Sequence, residues 1–108
     1  MLYPRNNIKL MGVAPLTSMF YYGENTSRPR GEWRSQVHDS DGLLVHCGTG
    51  EWLWRPLINP VYLDMNYFRA DDLNGFGLIQ RDHGFNDYHD LGARHEIRPS
   101  TWVKPEGK

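Results

Sequence analysis

The chain has 108 residues and a formal net charge of -1; 39% of its residues are hydrophobic and 13% are aromatic. This length allows one domain or part of one. The near-neutral charge gives no electrostatic basis for binding nucleic acid or an anionic membrane, and no apolar run is long enough to span a bilayer. Eleven glycines and seven prolines favour short strands and turns over long helices.

The N-terminal residues and the single cysteine bear on the cellular compartment. Met1 to Arg5 lack the apolar region of a secretory signal, which predicts either a cytoplasmic chain or an internal piece of a longer secreted protein. Cys47 has no partner for an internal disulfide or a cysteine metal cluster, and we interpret it as a small buried hydrophobic residue.

The first part of the chain is predicted to contain a strand, a loop and a turn. Leu16 to Tyr22 suits a strand, and the polar stretch from Gly23 to Gly31 suits an exposed loop. Asp39-Ser40-Asp41-Gly42 has the composition of a turn, with Gly42 able to take positive φ. This turn resembles the start of a calcium loop but lacks the further ligands.

A predicted hairpin carries the most informative residues. Strands over Gly42 to Cys47 and Glu51 to Arg55 are joined by Gly48-Thr49-Gly50. Alternation places Trp52 and Trp54 on one face, opposite Glu51, Leu53 and Arg55. Sugar rings stack their C–H faces on such flat aromatic surfaces, so the two indoles are a candidate carbohydrate platform. The alternative is that one or both belong to the core.

The second half is predicted to continue as short extended segments. Val61 to Phe68 alternates as a strand does, and Gly75 to Arg81 suits a further strand in which Gly75 and Gly77 mark a bulge or a close backbone approach. The polar region from Asp82 onward is predicted to be irregular. It would contain a helical turn over Tyr88 to Ala93, extended backbone over Pro99 to Val103 and a disordered tail over 104–108.

Carboxylates are the first group that could carry chemistry, because glycoside hydrolysis needs a pair of them. The alternative for each is that it caps backbone amides in a turn. The candidates near predicted turns are Asp39, Asp41, Glu51, Asp64, Asp82, Asp87 and Asp90.

Histidines and arginines form the other two groups. His83, His89 and His95 recur at a spacing of six, but no two histidines have helical ligand spacing, so no metal or other cofactor is expected. Arg55 and Arg81 end predicted strands, where a guanidinium can bind a carboxylate or paired hydroxyls; the alternative is an ion pair at the sheet rim.

Several blocks of the chain, in this order, resemble the periplasmic glucan biosynthesis proteins of Gram-negative bacteria, of the OpgG (MdoG) and OpgD type. The resemblance covers nearly the whole chain but a minor part of a family member's length. The blocks are Ala14-Pro15-Leu16-Thr17-Ser18-Met19-Phe20, Val37-His38-Asp39-Ser40-Asp41-Gly42-Leu43, Gly50-Glu51-Trp52-Leu53-Trp54-Arg55-Pro56-Leu57, Gly75-Phe76-Gly77-Leu78-Ile79-Gln80-Arg81, and Arg98-Pro99-Ser100 with Trp102-Val103.

This resemblance implies a fold and a function. The fold is all-β: residues 1–108 would be one partial domain, an antiparallel β-sandwich fragment from the later part of a domain resembling galactose mutarotase. The implied function is the biosynthesis of osmoregulated periplasmic glucans with a β-1,2-linked glucose backbone. The family resembles inverting endo-acting β-1,2-glucanases, in which an acid protonates the leaving oxygen and a distant base activates water. The implied localisation is the periplasm, and the implied ligand is a β-glucan.

The family's site residues carry over only in part. The resemblance places the general acid directly before Phe85, where this chain has Gly84, which cannot donate a proton; Asp82 is the candidate substitute acid. The family's base lies upstream of the first block, so the chain alone is expected to be inactive. The candidates for glucan contacts or for shaping the cleft are Trp52, Trp54, Arg55, His38, Asp39 and Arg81.

Three hypotheses follow: a piece of a glucan hydrolase, a glucan-binding module without hydrolysis, and an inactive structural fragment. Strands taken from a larger sandwich leave unpaired edges and an apolar face. We therefore expect the isolated chain to be marginally stable, to aggregate, or to pair with another chain that supplies the missing strands.

Overall fold

A computed structural model describes residues 3–106, and the strands among them are short. In chain order the elements are β1 (Phe20–Tyr22), β2 (Val37–His38), β3 (Gly42–His46), β4 (Trp52–Pro56), β5 (Gly75–Ile79), α1 (Phe85–Tyr88), a 3-10 helix (His95–Ile97) and β6 (Thr101–Val103). All pairing between these strands is antiparallel and little helix is present, which confirms the expected all-β class.

The strands form two sheets. β1 and β2 make a small two-stranded sheet, and the other four make a sheet in the order β4-β3-β5-β6. The larger sheet thus has β4 and β6 as its edges, and β6 reaches its place beside β5 only after the chain has passed through α1 and the 3-10 helix.

The predicted hairpin is confirmed as β3 and β4. His46 lies opposite Trp52 and Leu44 opposite Trp54, so both indoles lie on one face of the sheet. In the connecting turn the amide of Cys47 donates to the carbonyl of Glu51 over 2.9 Å. Gly50 has φ of +90°, a conformation that side chains with a Cβ rarely adopt, which explains the glycine there.

Two glycines of the larger sheet make room for neighbouring indoles. A Cβ at Gly42 would lie 2.7 Å from the ring of Trp54, and a Cβ at Gly75 would lie 2.5 Å from the ring of Trp102. The predicted close backbone approach is found at Gly77, where the neighbour is the backbone carbonyl of Thr101, whereas at Gly75 the close neighbour is an indole ring. Gly42 does not take the positive φ that is open to glycine: it begins β3, and what it provides is space.

Three sequence predictions differ from the structure. β1 is shorter than Leu16 to Tyr22, because β2 offers only two residues for pairing. The segment from Val61 to Phe68 forms no strand, since no described strand pairs with it. The short helix lies at Phe85–Tyr88, earlier than the helical turn expected over Tyr88 to Ala93, and a separate turn follows it, closed by the Arg94 amide donating to the Asp90 carbonyl.

Two further predictions concern burial and the C-terminus. Cys47 is half-buried, so the thiol is less enclosed than predicted. The predicted disordered tail over 104–108 falls partly outside the described residues, which end at Glu106.

An ion-pair network joins the polar segment before β2 to the turn after α1. The Arg34 guanidinium donates to Glu32 at 2.6 Å and to Asp90 at 3.2 Å, while Asp90 also accepts hydrogen bonds from the amides of Gly92 and Ala93. The bond from Arg34 lowers the pKa of Glu32 to about 2, and the backbone amides lower the pKa of Asp90. Both carboxylates therefore stay ionised well into the acid range.

Candidate functional site

Three tryptophans share one face of the larger sheet, which we call the tryptophan face. Trp52 and Trp54 come from β4, and Trp102 comes from β6, where it lies opposite Gly77. The rings of Trp52 and Trp102 lie 5.8 Å apart, centroid to centroid. Trp52 is 54% exposed and Trp102 is 41% exposed, so neither indole belongs to the core. The sequence-based prediction of an accessible aromatic surface is supported, and the surface is wider than predicted.

The ring of His46 stacks on Trp52 at one end of the tryptophan face. It lies parallel to Trp52, with ring centroids 3.9 Å apart and planes inclined by 6°. A shallow depression beside this pair is lined by His46, Trp52, Asn74, Trp102 and Lys104. It combines flat aromatic surface with an amide and an ammonium group, both of which can bind hydroxyls.

The other end of the tryptophan face is polar. The Arg81 guanidinium carbon lies 6.0 Å from the centre of the Trp54 ring, and the Arg81 amide donates to the Asp41 carboxylate over 2.6 Å. A small cleft next to Trp54 is lined by Asp41, Arg81, Glu24 and Asn25 in addition to the indole. The structure thus brings Trp54 and Arg81 together, as a sugar site would require.

Arg55 does not share this surface. Arg55 alternates with Trp54 along β4, and its guanidinium carbon lies 4.9 Å from the centre of the Phe68 ring. Its guanidinium therefore lies on the opposite face of the sheet, in the position that the alternation predicts.

His38 lies beneath the site and has no exposed surface. Its Nε2 is 2.8 Å from the side-chain oxygen of Gln36, which only accepts, so Nε2 carries the proton. Its ring stacks on Phe20 and meets the edge of Tyr88. His38 can shape the cleft, but it cannot touch a ligand at the surface.

Asp82 is half-buried and held at two points. The Gln36 amide nitrogen donates to the Asp82 carboxylate over 3.0 Å, and the Tyr88 hydroxyl donates to the Asp82 carbonyl over 3.3 Å. Burial raises the pKa of Tyr88 to about 12, so this hydroxyl keeps its proton at neutral pH. Gln36 is itself buried and is oriented by His38.

Gly84 precedes α1 and has no group that could act as an acid. Its amide donates to the carboxylate of Asp87 over 2.9 Å, which closes the first turn of the helix. The neighbouring candidate Asp87 is therefore engaged in capping.

Asp39 lies in a cluster of charged and polar groups. One of its oxygens is 3.2 Å from Nδ1 of the buried His95 and 3.2 Å from the Nε atom of Arg98. These contacts join the turn before β3 to the 3-10 helix, so the carboxylate is engaged within the fold.

The three evenly spaced histidines do not meet. His83 contacts the carbonyl of Glu96, His89 contacts the hydroxyl of Ser35, and His95 contacts Asp39. Within residues 3–106 no three side chains of the metal-binding types come together.

Trp102 and Gln36 are the residues that sequence reasoning missed. Trp102 alternates with Thr101 and Val103 in a short extended segment, which was a usable signal, but its place beside β5 depends on a pairing far along the chain. Gln36 has no local signal, because its importance comes from contacts with His38 and Asp82.

Comparison with known proteins agrees with this arrangement of blocks. The whole chain, residues 1–108, matches the family described as "Periplasmic glucan biosynthesis protein, MdoG". It is 52% identical over 107 residues to "Glucans biosynthesis protein G" of Ralstonia nicotianae and 50% identical over 105 residues to "Glucans biosynthesis protein D" of Xylella fastidiosa strain 9a5c. It is also 48% identical over 106 residues to "Glucans biosynthesis protein G" of Pseudomonas entomophila.

The chain belongs to the MdoG family of periplasmic glucan biosynthesis proteins. These alignments cover 99%, 97% and 98% of this chain, but 21%, 20% and 18% of the respective relatives. The chain thus spans about a fifth of the length of the curated relatives it matches. Among the described residues, no helix combines the length and apolar character needed to cross a membrane.

The burial of His38 predicts a pH-dependent stability. Burial lowers the pKa of this imidazole, against the opposing effect of Asp41, whereas the unfolded chain takes up the proton near pH 6.5. Below that pH the unfolded state binds more protons, so the free energy of unfolding should fall as pH drops, by up to about 1.4 kcal/mol per pH unit.

Urea unfolding between pH 7.5 and 5.5 measures this effect, and an NMR titration should show the His38 ring protonating below its ordinary range. The control His83→Gln removes an exposed histidine and should keep the same pH dependence. A free energy of unfolding that does not change over this interval would contradict the prediction.

Proposed function

We propose that the tryptophan face binds a β-1,2-linked glucan as part of the glucan cleft of a periplasmic protein. The observation that carries the proposal is the convergence of three accessible or half-buried indoles on one sheet face, with Arg81 and Asp41 at one end. Stacking on indoles selects sugar rings, and the flanking charged groups bind hydroxyls. Family membership supports a glucan as the ligand.

The surrounding fold is proposed to be part of a β-sandwich of the galactose-mutarotase type. Support comes from the different chemistry of the two sheet faces. One face carries the tryptophans, and the other carries Leu43, Val45, Phe76 and Leu78, the pattern of a sheet that packs against a second sheet. The periplasm is the proposed compartment, as the name of the family implies.

Hydrolysis is the second candidate function, with Asp82 as the acid. The observation that favours it is the hydrogen bond from Gln36, which holds this carboxyl group in one orientation. The residue expected directly before Phe85 is missing, since Gly84 stands there. We therefore place binding before hydrolysis.

The test is to incubate the chain with linear β-1,2-glucan and to follow tryptophan fluorescence and new reducing ends together. Saturable quenching without new reducing ends is the result we expect. New reducing ends that disappear in Asp82→Asn, but persist in the exposed control Asp71→Asn, would instead establish hydrolysis. The absence of both signals would overturn the proposal and leave a structural fragment.

A further inference from the structure

The cleft at the polar end of the tryptophan face, which we call the Trp54 cleft, is too small to hold a sugar ring. Its volume is about 50 Å³. A water molecule takes up about 30 Å³ in the liquid, so the cleft has room for a group of only a few atoms. A glucosyl ring lying on the tryptophan face would therefore stay outside this cleft and insert one substituent. The cleft is lined by Glu24, Asn25, Asp41, Trp54, Pro56 and Arg81.

The loop that follows β1 contributes Glu24 and Asn25 to the lining, and its backbone is held in place. The Glu24 amide donates to the side-chain oxygen of Gln36 over 3.3 Å. The Asn25 side-chain amide donates to the carbonyl of Leu57 over 2.9 Å. The backbone that carries the Glu24 side chain is thus fixed against β2 and the end of β4, although Glu24 itself is exposed.

Arg81 is the second charged residue of the Trp54 cleft that is open to a ligand. Its backbone amide donates to the Asp41 carboxylate over 2.6 Å, so Asp41 is engaged in holding the Arg81 backbone. Its guanidinium carbon lies 6.0 Å from the centre of the Trp54 ring. Within residues 3–106, neither the Glu24 carboxylate nor the Arg81 guanidinium has an ion-pair partner, so both lie farther apart than a salt bridge.

A carboxylate and a guanidinium that line one cleft without pairing are matched by a hydroxyl group. A carboxylate only accepts hydrogen bonds and a guanidinium only donates them, whereas a hydroxyl does both. On a glucopyranosyl ring, the hydroxyl at C6 is the one carried on a carbon outside the ring. This hydroxymethyl group consists of one carbon and one oxygen, and it is not used by a β-1,2 linkage.

We infer that the Trp54 cleft receives the C6 hydroxymethyl group of one glucosyl residue. Glu24 accepts the hydrogen bond from this hydroxyl, and the Arg81 guanidinium donates to its oxygen. The inference rests on the proposed glucan binding and adds the group of the sugar that is recognised at the polar end of the tryptophan face. It makes Glu24 a specificity-determining residue, which favours hexosyl units that carry a free hydroxyl at C6.

The experiment compares two ligands in a calorimetric titration of the whole chain. One is a short linear β-1,2-gluco-oligosaccharide, and the other is its 6-deoxy analogue, in which hydrogen replaces each C6 hydroxyl. The analogue should bind about tenfold more weakly, because it leaves the two charged groups of the cleft without their hydrogen bonds.

A matched pair of variants assigns this discrimination to Glu24. Glu24→Ala should weaken binding of the parent oligosaccharide about tenfold and bring the two ligands to nearly equal affinity, since the acceptor is removed. Glu51→Ala makes the same change at an exposed glutamate in the turn before β4, outside the cleft, and should preserve the discrimination. Both variants should keep the melting temperature of the unsubstituted chain because both side chains are exposed.

The possible failures are distinguishable. Equal affinity of the unsubstituted chain for the two ligands would overturn the inference about the cleft and leave glucan binding in place. Discrimination that persists in Glu24→Ala would also overturn it, because a different residue would then recognise C6. A chain that binds neither oligosaccharide would contradict the proposed function, and the inference would fall with it.

Discussion

Replacing Gly77 by alanine is expected to detach β6 from the larger sheet. An added Cβ at this position would collide with the backbone carbonyl of Thr101, which belongs to the neighbouring strand and cannot move like a flexible side chain. Overpacking of this kind costs about 1–3 kcal/mol. We expect the free energy of unfolding to fall by at least about 1 kcal/mol. The fluorescence of Trp102 should shift towards that of a solvated indole.

Gly12→Ala is the matched control, because a Cβ at Gly12 would meet no atom within 4 Å. This variant should be neutral or slightly more stable in the same urea titration, since alanine restricts the unfolded chain. Equal midpoints for the two variants would show that β6 is not held against β5 as described.

The second large effect is expected from truncating the accessible indoles. Trp52→Ala combined with Trp102→Ala removes the exposed rings at the His46 end of the tryptophan face. Aromatic contacts contribute about 0.5–1.5 kcal/mol each beyond the area they bury. The dissociation constant for linear β-1,2-glucan should therefore rise at least about tenfold, which corresponds to about 1.4 kcal/mol.

The control for this measurement is Trp33→Ala. Trp33 is 67% exposed and contacts Arg34 in the segment before β2, outside the tryptophan face. Its removal lowers the total fluorescence but should leave the glucan affinity unchanged. A loss of affinity in Trp33→Ala equal to that of the double variant would show that the glucan binds elsewhere or that binding is unspecific.

The hairpin is the part of the fold that local sequence determines. A turn of Gly48-Thr49-Gly50 and the alternation of Trp52 with Leu53 and Trp54 are sufficient to predict both strands and their faces. The alternation between Val61 and Phe68 is just as regular, yet it produces no strand. Alternation reports which side chains could share a face, whereas a strand also needs a partner for its backbone, and no described strand supplies one.

The candidate site shows the same division between local and distant information. Trp54 and Arg81 are separate candidates in the sequence. They meet because β3 pairs with both β4, which carries Trp54, and β5, which Arg81 follows. His38 is a sequence-based candidate for a glucan contact or for shaping the cleft, and its complete burial could not be foreseen because Phe20 and Tyr88, which enclose it, are far away in sequence. Single residues were thus identified more readily than the contacts between them.

The glycines beneath the indoles limit how this surface can evolve. Gly42 on β3 accommodates Trp54 on β4, and Gly75 on β5 accommodates Trp102 on β6. Each glycine and its indole lie on neighbouring strands and fit only together. A mutation that enlarges either glycine displaces an aromatic ring, and a mutation that shrinks the ring leaves a gap over the glycine. The surface proposed to bind glucan and the stability of the sheet therefore depend on the same glycine–indole contacts.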